Sequence, residues 1–150
     1  MKVGPFLQTS PLTKYLSGVY RLSKGALNQQ IAKLNVRATQ SDLLLFISDH
    51  PNLTQAKIAK ANSVDPSLLA KDLQVLEQHG WVQRQANPAD KRSRLVALTA
   101  TGEQTAAELK NLNAQWWQQF SQAHPEIDLA QLQHELEHVY DALRQEAPHD

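Results

Sequence analysis

The chain has 150 residues and no cysteine, which excludes disulfides, thiolate metal sites and thiol-based redox switching within it. That length suits one ordinary domain, or a small domain with added helices, and can bury a core without covalent staples. The opening segment MKVGPFLQTS has no long apolar run, so neither a secretion signal nor a membrane anchor is expected, and a reducing cytoplasm is the expected compartment.

The formal net charge of zero hides a polarity. Residues 1–102 carry 13 Lys and Arg against 6 Asp and Glu, a net of +7, whereas residues 103–150 carry 2 against 9, a net of −7. Halves this unequal point to a basic region that meets a polyanion and an acidic region that does not.

In chain order, Leu12, Leu16, Val19, Leu27, Ile31 and Leu34 recur at helical spacing and predict one long helix over 11–34. Thr39 or Ser41 can cap a second helix, with Leu43, Leu44, Phe46 and Ile47 on its buried side, and His50-Pro51-Asn52 stops it because proline disfavours helix in the residue before it. Thr54 suits the N-cap of a third helix ending near Ala61, followed by the turn Asn62-Ser63-Val64. Asp65 caps a fourth helix, and Pro66 takes its first position, where a missing N–H costs nothing. Leu69, Leu73 and Leu76 form the inner stripe of that helix, and Gly80 ends it.

Val82 to Gln85 and Arg94 to Leu98 then read as two strands joined across Asn87-Pro88-Ala89-Asp90, whose residues are turn formers. Thr99-x-x-Gly102 leads into a long helix with Leu109, Leu112, Trp116 and Phe120 on one face, which Pro125 ends. Leu129, Leu132, Leu136, Val139 and Leu143 mark a last helix. The first helix and the last two carry more apolar stripe than a small helix-and-hairpin unit needs, and helices survive in water by burying such stripes. A symmetric dimer built from these terminal helices explains the excess better than a monomeric bundle, because isologous pairs are the commonest oligomers. Trp116 and Trp117 are then expected to pack in that region rather than to line a cofactor box, and no cofactor is expected.

The residues that carry function lie between Leu53 and Gly102. With Leu69, Leu73 and Leu76 inside, Ser67, Lys71 and Gln74 face outward from the fourth helix. Serine can bond base or phosphate, lysine can meet guanine and glutamine can pair with adenine in a major groove. Pro66 and Ser67 stand at the helix N-terminus, where free N–H groups attract phosphate. The hairpin crowds Arg84, Lys91, Arg92 and Arg94 around a turn opposed only by Asp90. A protruding arginine suits a narrow minor groove with enhanced negative potential. Asp90 is expected to hold an arginine side chain or a backbone N–H of the hairpin and so to aim its tip.

Leu53-Thr54, Ile58-Ala59, Val64-Asp65-Pro66-Ser67, Leu73, Leu76-Glu77-x-x-Gly80, Val82, Arg84, Pro88-x-Asp90-Lys91-Arg92 and Leu98-Thr99-x-x-Gly102 together resemble the winged helix-turn-helix of the multiple antibiotic resistance regulator (MarR) family. The Asp90-x-Arg92 wing followed by Leu98-Thr99-x-x-Gly102 is the more specific part. The resemblance implies a mainly α fold with a small β-hairpin wing in a single domain, 1–150. The winged helix-turn-helix would occupy 36–102, flanked by dimerisation helices at 11–34 and 103–146. It implies a homodimeric transcription factor, a ligand-responsive repressor of a palindromic double-stranded operator, with half-sites about one helical turn apart. Ser67, Lys71 and Gln74 would read or clamp the major groove. Arg92 would be the wing-tip arginine with Asp90 orienting it, and Thr54 and Gln55 would start the helix that crosses the backbone. A small-molecule effector would sit between the dimer helices and the reading domain, with Tyr20, Phe46 and His50 as candidates. The chain departs from the family at Ala70, where threonine or serine is usual, at Asn62-Ser63 in place of Leu-Gly, and at Trp81 in place of a smaller aliphatic residue.

A rival motif lies in the last helix. His134-Glu135-Leu136-Glu137-His138 spells H-E-x-x-H, with two histidines on one side and a glutamate that a zinc hydrolase would use as base. A catalytic zinc needs a third protein ligand, and the extended pattern meets Asp141 and Arg144 where glycine and histidine would stand. A solvated histidine pair is therefore expected, with no catalytic metal and no enzyme activity. A non-specific architectural DNA-binding protein is the other alternative.

Overall fold

The structure, a computed structural model, describes residues 11–146. The two ends of the expected domain, 1–10 and 147–150, lie outside the described residues. The chain divides after Asn113 into two compact units.

The first helix, α1, spans Leu12–Ile31 and gives way to a 3-10 turn over Ala32–Leu34, where the expected α-helix had continued. Asn35 then enters the left-handed region at φ 58°, which asparagine tolerates better than most residues. The apolar stripe of α1 is not uniform in its surroundings. Leu27 and Ile31 are buried, whereas Leu12, Leu16 and Val19 remain exposed.

Helix α2 covers Ala38–Asp49. Its N-cap is Arg37, not Thr39 or Ser41: the backbone N–H of Arg37 donates to Gln40 Oε1 at 3.1 Å. A glutamine at the third helical position thus satisfies the capping residue's donor without a hydroxyl cap. Ser41 is instead buried. A short strand, β1, follows at Leu53–Thr54. Helix α3 (Gln55–Ala61) is capped by Thr54, whose Oγ1 accepts from the Lys57 N–H at 3.2 Å. Helix α4 (Pro66–Gln78) is capped by Asp65, whose Oδ1 accepts from the N–H groups of Ser67 and Leu68 at 2.8 and 3.2 Å. Both caps stand where hydrogen-bonding chemistry predicts them.

Strands β2 (Val82–Ala86) and β3 (Arg94–Leu98) pair antiparallel with Val82 opposite Leu98 and Ala86 opposite Arg94. Strand β1 adds to the other edge of β3, giving the order β1-β3-β2. The sheet thus has three strands where two were expected. Helix α5 spans Ala100–Ala123, and α6 spans Leu129–Glu146 behind an Asp128 side chain that accepts from the Gln131 N–H at 2.9 Å.

The first unit is built on Leu44, Ile47, Ile58, Leu69, Leu73, Leu76, Val96 and Leu109, all fully buried. Each such side chain contributes about 1.5–3 kcal/mol over its exposed state. Lys110 on α5 donates to Asp49 Oδ1 at 2.6 Å and to Ser48 Oγ at 3.1 Å on α2.

The tightest joint lies where α4 hands over to the sheet and the sheet to α5. Gly80 turns at φ +74°, a conformation that costs a side-chain-bearing residue dearly. Thr99 then ties both ends of the hairpin to this turn: its Oγ1 donates to the Gly80 carbonyl at 2.6 Å, and its N–H donates to the Trp81 carbonyl at 2.9 Å. The Gly102 N–H donates to Thr99 Oγ1 at 3.0 Å, and a Cβ at Gly102 would lie 1.9 Å from the Trp81 carbonyl oxygen. The motif Leu98-Thr99-x-x-Gly102 is thereby explained as a backbone-to-backbone contact that only glycine permits. Replacing Gly102 with alanine is expected to destabilise the protein by about 2 kcal/mol or more, since an overpacked site with no room must shift backbone. Urea unfolding at unchanged m-value measures this loss.

Candidate nucleic-acid interface

Helix α4 sorts its side chains as its stripe requires. Leu69, Leu73 and Leu76 are buried, and Ser67, Lys71 and Gln74 are exposed with Pro66 at the first position. Leu68 joins that outer surface at 53 % exposure, an apolar residue among polar ones that the periodic reading passed over. A branched aliphatic side chain there offers a surface suited to a thymine methyl. Ala70 is half-buried at the edge of this face. In the turn between α3 and α4, Ser63 takes the left-handed conformation at φ 51°, and the Asn62 side chain donates to the Ile58 carbonyl at 2.9 Å. The Asn62-Ser63 pair thus makes the same kind of turn a glycine would, at the cost of some backbone strain.

The wing tip is tied internally. Asn87 Oδ1 accepts from the Ala89 N–H at 3.0 Å, and Asn87 Nδ2 donates to Ser93 Oγ at 2.8 Å. Asp90 Oδ1 accepts from the Arg92 N–H at 2.9 Å. Of the two roles foreseen for Asp90, the structure therefore displays the backbone one. Lys91 and Arg92 stand exposed at this tip and form no ion pair with another described residue. Arg94 is exposed on β3 opposite Ala86.

Arg84 behaves differently from its neighbours. It is half-buried on β2, and its Nε and Nη2 donate to the two carboxylate oxygens of Glu77 at 2.8 and 2.6 Å. Its Nη1 donates to Gln55 Oε1 at 3.4 Å. One guanidinium thus joins α3, α4 and β2 through a two-pronged carboxylate contact, the geometry arginine makes and lysine cannot. The hydrogen bond from Arg84 holds the Glu77 carboxyl below the usual carboxylate range; partial burial opposes this, and the positive charges of Arg84 and Arg94 add to it. The same bond raises Arg84 above its usual value. Thr54 is also engaged, as the cap of α3, so the two residues foreseen at the start of that helix both make contacts within the fold.

Of the three candidate effector residues, Phe46 and His50 pair with each other, and Tyr20 bonds elsewhere. The Tyr20 hydroxyl donates to Asp42 Oδ2 at 2.9 Å, and Lys24 meets the other oxygen of the same carboxylate. Phe46 stacks on His50 with ring centroids 4.3 Å apart. A concavity missed in the sequence, of about 530 Å³, is lined by Val36, Arg37, Gln40, Val75 and His79. In the second unit, His134 and His138 lie one turn apart with ring centroids 4.3 Å from each other, and Glu135 accepts from Gln131 Nε2 at 2.7 Å. Among the described residues no group of three or more His, Cys, Asp or Glu is placed to hold a metal ion. Among them, too, no helix is long and apolar enough to cross a membrane.

This geometry has close counterparts. A MarR family model matches residues 34–93. The chain is 34 % identical over 97 residues to the multiple antibiotic resistance protein MarR of Escherichia coli strain K12, an alignment covering 65 % of this chain and 67 % of that one. The chain belongs to the MarR family. A solved structure of the multiple antibiotic resistance repressor MarR superposes with a TM-score of 0.77 at 30 % identity, covering 89 % of this chain and 98 % of that one. A cysteine-to-serine mutant of E. coli MarR complexed with operator DNA superposes with a TM-score of 0.71 at 28 % identity, covering 91 % and 99 %. The mainly helical winged-helix fold expected from the sequence is the fold observed.

Because the folded-state value of Glu77 is lowered, its pairing adds stability that is fully present above the ordinary glutamate value of about 4.3 and is lost as pH falls through the lowered one. Glu77→Gln should therefore be less stable than wild type at neutral pH by about 1 kcal/mol, allowing for partial solvent screening. The gap should close as the pH falls below about 4. Urea unfolding across that range measures both.

Proposed function

We propose that the protein is a transcriptional regulator that binds double-stranded DNA sequence-specifically as a homodimer, most simply as a ligand-responsive repressor. The observation that carries this reading is a pair of wing cations, Lys91 and Arg92, that form no ion pair with another described residue and are held on an internally bonded tip beside a helix whose outer face is Ser67, Leu68, Lys71 and Gln74. The relatives support it: one of the similar structures is that of a repressor, and another is a complex with operator DNA. Nothing in this kinship points to an enzyme, and a DNA-binding role is consistent with a cytoplasmic protein.

In this reading Ser67, Lys71 and Gln74 meet base edges in the major groove, and Pro66 opens the helix toward a phosphate. Lys91, Arg92 and Arg94 meet the backbone and minor groove, with Asp90 shaping the tip. Thr54, Gln55 and Arg84 serve the interface by setting the stance of these elements, which their contacts inside the fold favour. The exposed Leu12, Leu16 and Val19 of α1 support dimerisation. So does an apolar groove of about 600 Å³ in the second unit, lined chiefly by Trp117, Leu132, Leu136, Val139 and Leu143. A second copy is the partner that covers such faces most simply. Tyr20, Phe46 and His50 remain the proposed borders of an effector site.

A duplex selected from a random pool by the wild-type protein provides the test. Arg92→Ala should weaken binding to all duplexes by a similar factor and lower the slope of log affinity against log salt by about 0.9, the loss of one phosphate contact. Lys71→Ala should instead relax the choice at one base pair, a cost of about 1–3 kcal/mol on the preferred sequence. Wild-type binding and wild-type salt dependence for Arg92→Ala would remove the wing from the interface.

A further inference from the structure

The H-E-x-x-H segment of α6 is left unused by a DNA-binding role, yet its two histidines are arranged for chemistry. Both are exposed, and their rings stand 4.3 Å apart between centroids at an interplanar angle of 58°. The two rings are tilted to one another rather than stacked flat. A divalent transition ion bonds imidazole nitrogen at about 2.0–2.1 Å, so two nitrogens on one ion lie within about 4.2 Å of each other. Residues four apart on a helix are held as neighbours by the backbone, about 5–6 Å between Cβ atoms, so binding freezes few torsions beyond those of the two side chains.

We propose that His134 and His138 form a two-imidazole site for one borderline transition ion, of the nickel or zinc class, with water completing the coordination. The proposal invokes no hydrolysis: a catalytic zinc takes three protein ligands, and the site proposed here has two. Three further features favour occupancy. Residues 114–150 hold seven Asp and Glu against one Arg, a net of −6 that draws cations. Asp141 falls on the same helical face one turn beyond His138, where its charge can act through a coordinated water. The pair also lies on the side of α6 opposite the apolar stripe of Leu132, Leu136, Val139 and Leu143, so an ion there need not compete with whatever covers that stripe.

Calorimetric titration of the full chain with Ni²⁺, Co²⁺, Mn²⁺ and Mg²⁺ tests the site. One Ni²⁺ per chain is expected, with affinity falling through Co²⁺ to Mn²⁺ as nitrogen ligands require and no detectable Mg²⁺. His134→Ala and His138→Ala, both at exposed positions, should each weaken Ni²⁺ binding by about tenfold or more. His124→Ala should leave it unchanged, and unaltered far-ultraviolet circular dichroism shows that the variants still fold. Absent Ni²⁺ binding, binding that survives both substitutions, or one ion per two chains would each overturn the proposal.

Discussion

The bidentate contact between Arg84 and Glu77 is the constraint on which the candidate interface depends. Glu77 is near the end of the helix proposed to enter the groove, and Arg84 is on the first strand of the wing. Between them the chain passes through Gly80 and Trp81, a turn that would by itself leave the hairpin some freedom to swing. A guanidinium gripping both oxygens of a carboxylate fixes orientation as well as distance. The further bond to Gln55 extends that grip to α3. Thr99 supplies a second clamp from the far side of the hairpin, through the Gly80 and Trp81 carbonyls. Helix and wing therefore move together in the folded protein, and a duplex that fits one is presented to the other.

The same contact divides the cations of the hairpin by role. Arg84 is engaged by Glu77, whereas Lys91 and Arg92 form no ion pair with another described residue and, in the proposed interface, meet the DNA. Asp90, the one acid of the tip, is bonded to backbone and forms an ion pair with neither. Where charge is concentrated without internal compensation, a polyanion gains most from binding, because each contact releases condensed counterions. The apolar faces of α1 and α6 answer a different need, the burial that a single copy leaves incomplete.

Much of this architecture was legible in the sequence because its signals are local. Thr54 and Asp65 cap their helices through hydrogen bonds two or three residues long, and Gly80 turns where a left-handed residue is required. What escaped depends on distant partners. Strand β1 is two residues long and exists only because Val96 and Leu95 lie opposite it, so no periodicity marks it. Arg37 is a poor capping side chain, and its N–H is satisfied by Gln40 instead. The stripe of α1 reads as continuous, but only its end from Leu27 to Ile31 reaches the core. Among the candidate site residues, the outward set on α4 followed from its inner leucines. Arg84 counted as one more wing cation, since a sequence does not reveal that Glu77 lies across the turn from it.

The most direct test of this division is the salt dependence of DNA binding by the double variant Arg84→Met, Glu77→Gln, which removes both charges and leaves neither unpaired. If Arg84 positions the wing without touching phosphate, affinity for the selected duplex falls while the slope of log affinity against log salt stays at the wild-type value. A slope reduced by about 0.9, the signature of one lost phosphate contact, would contradict the account by putting Arg84 on the DNA backbone.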